Sequence, residues 1–239
     1  MNKTHSGSEE ELRFFATAPR PCSYLPGRSA ISVFADPDAR FSMPVYNQLA
    51  EFGFRRSGND LYVPACPGCS ECVPVRVPVS EFKRSRNQQR VWQRNRDLDW
   101  EIHDPAFAPQ LFPLYRDYLQ QRHAGGGMDD PGVEDYLHFL TSDWCDSLFL
   151  VGRLEGRPVV VAVTDKMDRA LSAVYTFFDT TLARRSLGTL AILRQVELAR
   201  AMQRDWLYLG YWIAGSDKMH YKNRFRPLQG YRQGSWVDL

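Results

Sequence analysis

Between a strand-like run, AVYTFFD (residues 173–179), and a helical one, LAILRQVELARA (190–201), the chain reads Arg184-Arg185-Ser186-Leu187-Gly188-Thr189. The first N–H groups of a helix have no partner inside it and point outward at its positive pole, so such a turn can hold an anion. Gly188 removes a side chain where backbone would approach a ligand, and Arg184 and Arg185 add charge. Tyr175 and Asp179 supply polar groups at the end of the strand, where they would face such a site. Taken alone, the turn fits a coenzyme, a nucleic-acid end, or a plain strand-to-helix junction capped by Ser186.

A second cluster is basic. Lys83, Arg86, Arg90 and Arg94 recur at three- and four-residue spacing, which sets them in one stripe on a helix. Between residues 81 and 96 only Glu81 opposes six cations, the stripe with Arg84 and Arg96. That pattern suits a phosphate backbone; the alternative is a solvated face with Phe82 and Val91 turned inward.

A third cluster is Cys66-Pro67-Gly68-Cys69-Ser70-Glu71-Cys72, with Cys22 as a distant fourth thiol. The spacing fits a zinc or iron–sulfur site, and equally a reduced cysteine cluster on a tight turn. Cys145 reads as an ordinary packed thiol. Finally, SDKMHYKNRFRP (216–227) sets Lys218, Lys222 and Arg224 beside His220 and Tyr221, cations able to hold a carboxylate or a terminal phosphate. Arg76 interrupts the otherwise apolar VPVRVPV, so its guanidinium needs a buried partner or a ligand.

The chain that must position these groups has 239 residues, 44% of them hydrophobic, and a net charge of only +2. A nucleic-acid role would therefore rest on a local patch. No apolar run approaches the ~18 residues of a membrane span. The start, MNKTHSGSEEE, lacks an apolar signal-peptide core, so a cytoplasmic protein without membrane contact is expected. Five cysteines, an odd number, argue against a disulfide framework.

The periodicity predicts a strand at ISVFAD, a helix at MPVYNQLAEFGF, and strands flanking Ser57-Gly58-Asn59. VPVRVPV reads as an edge or bulged strand because of its prolines. The basic segment SRNQQRVWQRNRDL reads as a helix. From residue 97 the expected order is β-α-α-β-β-β-α-β-α-β, with flexible AGGGMDD between the first two helices and a single strand near GYRQGSWVDL. This order matches an acyltransferase architecture around a mixed sheet. A fainter strand–turn–helix–strand copy, VRVPVSEFKRSRNQQRVWQRNRDLDWEI, suggests two related halves packed side by side. The expected division is a disordered start at 1–12, an N-terminal domain with the cysteines and basic helix at 13–96, and a catalytic domain at 97–239.

The blocks RPCSYLPGR, YVPACPGCSECVPVRVPV, SRNQQRVWQRNRDL, AVYTFFD, RRSLGTLAILRQVELAR, YLGYWI and KMHYKNRF stand in the order found in the aminoacyl-tRNA–protein transferases. The chain resembles their short bacterial form, related to eukaryotic arginyltransferases, from about Phe14 to Val237. The resemblance implies an α+β, acetyltransferase-like (GNAT) mixed sheet with flanking helices. It implies transfer of leucine from leucyl-tRNA to the α-amine of proteins with N-terminal Asp or Glu, creating an N-degron. An arginyl-tRNA donor and a coenzyme-A-dependent N-acyltransferase are the alternative enzymes, and a metal-stabilised nucleic-acid-binding module the non-enzymatic one. Where the eukaryotic relatives carry a C-x-x-C near the start, Cys22 here is followed by Ser23, Tyr24 and Leu25.

On this reading no cofactor is required for catalysis. Tyr175, Asp179 and Tyr211 are the candidate proton-handling groups. Lys83, Arg86, Arg90, Arg94, Arg184, Arg185, Ser186 and Gly188 would hold the tRNA, and Arg76 or Lys218 the substrate's acidic side chain. Cys22, Cys66, Cys69 and Cys72 would hold any metal.

Overall fold

A computed structural model of the chain describes residues 12–122 and 131–239. The loose N-terminus expected at 1–12, except Leu12, and the AGGGMDD stretch lie outside the described residues. The first part holds β1 (Phe14–Ala16), the two-residue strands β2 (Arg20–Pro21) and β3 (Ser29–Ala30), and β4 (Ser32–Ala35). Next come α1 (Met43–Glu51), β5 (Arg55–Ser57) and β6 (Asp60–Pro64). Strands β1, β4, β6 and β5 pair in that order as a small antiparallel sheet.

The chain continues with β7 (Val73–Pro78), α2 (Arg86–Arg94), β8 (Asp99–His103), a 3₁₀ turn at Pro105–Leu111, α3 (Phe112–Arg122) and α4 (Val133–Leu140). It ends with β9 (Ser147–Leu154), β10 (Arg157–Lys166), β11 (Ala170–Phe178), α5 (Leu187–Ala201), β12 (Trp206–Trp212), α6 (Asp217–His220), β13 (Gln229–Arg232) and β14 (Ser235–Asp238). Eight of these strands form one mixed sheet, ordered β14-β13-β7-β12-β11-β10-β9-β8. Every neighbouring pair is antiparallel except β11 with β12.

Alternation along the central strands sorts the core into two layers. Phe149, Val151, Val161 and Val163 pack under Leu111, Tyr115, Leu119, Tyr136 and Leu140 of the α3–α4 side. Leu148, Leu150, Val160 and Ala162 face Val91 of α2 and Leu187, Leu190 and Ala191 of α5. Each large apolar side chain among them, fully buried, contributes about 1.5–3 kcal/mol. Helix α2 starts cleanly because Ser85 and Gln88 form a reciprocal capping box. A third core, with Tyr46, Ala50, Phe54 and Leu61, seats α1 and the small sheet against Met167, Ala170 and Tyr208.

Several expectations change. VPVRVPV is not an edge: β7 is buried throughout and paired on both sides, with β12 and β13. Its prolines are tolerated because they stand at Pro74 and Pro78, while the two-residue pairing with β13 uses Arg76 and Val75. The terminal strand is a two-strand hairpin, β13–β14. The large sheet also crosses residue 96, since β7 and β8 flank it in sequence and both belong to the sheet. The sheet boundary falls instead between β6 and β7. The β7–α2–β8 and β11–α5–β12 units share this one sheet, β12 and β11 lying between β7 and β8, so they do not stand as two separate halves.

Candidate active site

The strands β11 and β12 are in parallel register only at Ala170–Trp206, Leu171–Leu207 and Ser172–Tyr208. Immediately beyond, each strand carries one extra residue. Val174 is skipped in the pairing of β11 with β10, and Leu209 in the pairing of β12 with β7. A bulge bends its strand and sharpens the local twist, so two bulges side by side drive the strands apart. Residues 173–176 are consequently only half-buried, although β11 lies in the middle of an eight-stranded sheet. This split opens at the carboxyl ends of both strands, where open α/β sheets receive ligands.

Helix α5 begins at the same end. Ser186 stands at its N-cap in the left-handed region (φ 54°), and its side chain makes no capping bond. The first amides of a fifteen-residue helix are thus left without a side-chain acceptor from the cap. Gly188 has a different role from the one expected. A β-carbon there would lie 3.2 Å from the Phe178 ring, so the glycine lets the helix close on β11.

Arg94, at the end of α2, donates to the Arg184 carbonyl. Asn95 donates to the Arg185 carbonyl (2.9 Å), and Arg185 grips Asp97 bidentately at 2.8 Å. The hydrogen bonds from Arg185 hold the Asp97 carboxyl below its ordinary range. Arg185 is therefore a clamp joining α2 to the start of α5 rather than a free cation. Arg86, Arg90 and Arg94 are exposed along α2 with Arg184 beside them, and the clamp makes this stripe continuous with the uncapped end of α5. Lys83, also exposed, comes before the Ser85 N-cap and so is not part of the helical stripe expected for it. Arg84 turns away from the stripe to stack on Trp92 (3.7 Å) and pair with Glu197 (2.7 Å).

At the inner end of the split stand two cations that the sequence did not single out as a pair. Arg55, at the start of β5, donates through Nη2 to the Ala173 carbonyl (3.1 Å). Lys222, in the turn after α6, donates through Nζ to the Tyr211 carbonyl (2.6 Å) and touches Met219 Sδ (3.4 Å). Each is only 6% exposed. Gly210, at φ 77°, lies between them. A β-carbon there would stand 3.5 Å from Lys222 Nζ and 3.9 Å from Arg55 Nε and Nη2. Burial, then repulsion from Arg55, lowers the Lys222 ammonium from 10.5 to about 7; nearby Cys72 opposes the shift. The sequence signal was the Arg-Arg pair opening β5, together with Lys222 in the C-terminal basic run.

The proton-handling candidates are placed differently. Tyr211 donates to the Gly53 carbonyl (3.0 Å), with the Tyr62 carbonyl 3.3 Å away, and burial pushes its phenol well up. It ties the large sheet to the small one and is not available as a base. Burial would raise Asp179, but bonds from Thr181 and Arg157 outweigh it and hold the carboxyl below its ordinary range. Asp179 caps the turn after β11. Tyr175 packs among Phe139, Tyr115 and Tyr118, and burial raises its phenol. It lines the split as an aromatic wall.

Arg76 is also structural. Its guanidinium lies 3.8 Å from the Trp206 ring and 4.2 Å from the Trp236 ring, and pairs with Glu51 at 3.0 Å. Its Nε donates to Gln229 (3.1 Å). The buried arginine found a partner within the chain, so it is not free to hold a substrate acid. Lys218 is exposed on α6, outside the split.

Cys22, Cys66, Cys69 and Cys72 are half-buried. The Cys69 sulfur accepts from Arg28 (3.2 Å), and Cys66 bonds to the Ile31 backbone. Burial, then the other three thiols, pushes Cys72 up to about 11. Among the described residues no group of three or more His, Cys, Asp or Glu is arranged to hold a metal. As placed, the thiols do not fit zinc or an iron–sulfur cluster. Among the described residues no helix is long and apolar enough to cross a membrane.

The sequence model "Arginine-tRNA-protein transferase, C terminus" matches residues 110–232, and its N-terminus counterpart matches residues 20–90. The chain is 43% identical over 228 residues to the aspartate/glutamate leucyltransferase of Hahella chejuensis, covering 95% of this chain and 97% of that protein. It is 45% identical to the proteins of the same name from Marinobacter nauticus and Pseudomonas fluorescens, over 95% of this chain and 96–97% of theirs. In fold it is similar to FemX (TM-score 0.51, 9% identity, 90% of this chain and 84% of that one). It is also similar to L-PGS from Bacillus licheniformis (TM-score 0.50, 12% identity, 78% and 64%).

Proposed function

Because the chain belongs to the arginine-tRNA-protein transferase family, we propose that it transfers leucine from leucyl-tRNA to the α-amine of proteins whose first residue is Asp or Glu. The observation that carries this reading is the 43–45% identity to aspartate/glutamate leucyltransferases over 95% of the chain. The product is a protein with an N-terminal leucine, an N-degron. The pool of charged tRNA puts the reaction in the cytoplasm. Parallel strands that part beside the start of a helix support an acetyltransferase-like (GNAT) reading of the sheet.

The chemistry asks little of the protein beyond placement. The aminoacyl ester is already activated, so the step is aminolysis: the amine nitrogen bonds to the carbonyl carbon and the tRNA 3′-terminal ribose oxygen leaves with a proton. An α-amine with a pKa of about 7.7–8.0 is partly neutral at physiological pH. Alignment in the β11–β12 split and stabilisation of the developing oxyanion supply the rate. The exposed stripe Arg86–Arg90–Arg94, with Lys83 and Arg184, receives the tRNA backbone. Helix α2 has no acidic residue in its first turn and begins with Arg86, an arrangement the helix dipole disfavours unless an anion covers it.

Purified protein incubated with labelled leucyl-tRNA or arginyl-tRNA and peptides starting with Asp, Glu or Ala tests the reading. Leucine should appear on the Asp and Glu peptides only. Transfer of arginine alone would replace the donor. Transfer from neither, with acetylation from acetyl-coenzyme A instead, would replace the reaction.

A further inference from the structure

We propose that Arg55 and Lys222, converging on Gly210 at the inner end of the β11–β12 split, form the subsite that takes the side-chain carboxylate of the acceptor protein's first residue. The proposal rests on the transferase reading above for the identity of the acceptor, and it names the residues that read it.

Two cations drawn together and removed from water call for an anion, because buried charge is costly unless paired. Among the described residues no carboxylate pairs with either Arg55 or Lys222, although twelve ion pairs form elsewhere. Neighbouring Arg56 shows the contrast, being fully matched by Asp165. What Arg55 and Lys222 hold instead are the carbonyls of Ala173 and Tyr211. Both carbonyls lie past Ser172 and Tyr208, the last pair joining the two strands.

The geometry selects a small, planar anion. Arg55 uses Nη2 on Ala173, which leaves further N–H groups of its fork for a carboxylate. Lys222 adds a point charge to the same spot, since its Nζ and the Arg55 fork both lie within 3.9 Å of the point a Gly210 β-carbon would occupy. A larger phosphate is already served by the exposed stripe on α2. An N-terminal Asp or Glu carries its acid within a few bonds of its α-amine. With the acid at the inner end, the amine points along the split toward the start of α5, where the ester arrives.

The test compares peptides that begin with Asp and with Asn, which have the same shape but differ in charge. With the wild-type protein and leucyl-tRNA, kcat/KM should favour Asp by roughly 100-fold or more. In Lys222→Gln and Arg55→Gln the preference should fall to within about tenfold, through the KM for peptide, with the KM for leucyl-tRNA unchanged. A folded variant that keeps the wild-type Asp-to-Asn ratio, or loses both peptides equally, overturns the proposal.

Calorimetry on the wild-type protein covers variants that fail to fold and separates this proposal from the transferase reading. Binding of the Asp peptide near pH 8 should take up more protons than binding of the Asn peptide, as Lys222 is recharged beside the carboxylate. The charged and titratable groups facing Lys222 in this count are Arg55, Cys72 and Tyr221. Equal affinity for the two peptides overturns the proposal. Tight, Asp-selective binding without any leucine transfer would overturn the reaction and leave the subsite standing.

Discussion

Arg56 and Asp165 pair bidentately, Nη2 to Oδ1 at 2.7 Å and Nε to Oδ2 at 2.9 Å, with neither side chain exposed. Tyr46 and Ser147 add bonds to the same carboxylate, and Arg56 also reaches the carbonyls of Gly58 and Leu140. One ion pair thus fixes the small sheet to the large one, and fixes Arg55, the next residue along, in the split.

Breaking that pair should be severe. Asp165→Ala leaves the Arg56 charge buried and unmatched, at a cost of about 3–5 kcal/mol. The double variant Arg56→Met, Asp165→Leu should recover most of the loss. Urea unfolding of the two variants and the wild type measures both numbers.

Arg76 should behave as a structural residue. Arg76→Met removes the guanidinium between Trp206 and Trp236 and leaves Glu51 without its cation; stability should fall by about 2 kcal/mol. The ratio of Asp- to Asn-peptide transfer should stay at the wild-type value in the fraction that is folded. A lost ratio would return Arg76 to the substrate site.

The basic stripe should act through salt-sensitive binding. Replacing Arg86, Arg90 and Arg94 by Gln should weaken tRNA binding and flatten the slope of log affinity against log salt, by about 0.7–0.9 for each phosphate no longer neutralised. Arg185→Gln should instead lower stability through the Asp97 clamp and leave that slope nearly unchanged. Fluorescence titrations at several salt concentrations distinguish the two.

Lys222 should leave a mark on both stability and selectivity as pH changes. Its folded-state value, about 7, lies below the ordinary 10.5, so over that interval the unfolded chain binds more protons. Stability therefore rises with pH through the interval, and the full cost of burying the charged lysine is felt below it. Lys222→Met should be more stable than wild type below about pH 7 and should lose this pH dependence. Preference for acidic over amide peptides in the wild type should weaken as pH rises past the same point, when fewer molecules carry the Lys222 charge. Denaturation and transfer assays across that range check both.

The parts of the site that lie close together in sequence were readable from it. The strand, turn and helix from Ala173 to Ala201 show their periods directly, and the row Arg86, Arg90 and Arg94 on α2 follows from four-residue spacing, whereas Lys83 falls before the helix begins. The inner end of the split was not readable, because Arg55 meets Ala173 across 118 positions and no local pattern links them. Arg76 looked like a ligand because a lone cation in an apolar strand needs a partner; Glu51, Trp206 and Trp236 arrive from three separate elements. The role of Tyr211 is hidden for the same reason, its acceptors at Gly53 and Tyr62 lying beside and in the small sheet. The bulges at Val174 and Leu209 open the site, yet their residues are ordinary strand formers.

The central place of β7 also bears on how the protein is made. This buried strand ends at Pro78, and its partner β12 does not begin until Trp206. On the ribosome the apolar face of β7 must wait for well over a hundred more residues before its ladder can close, a pattern of distant pairings that slows folding. Until then the nascent chain is a customer for chaperones, and truncation before β12 should yield an aggregating fragment rather than a smaller domain. The acid-reading pair is assembled late, since Lys222 follows β12. The enzyme therefore gains its selectivity only when synthesis is nearly finished.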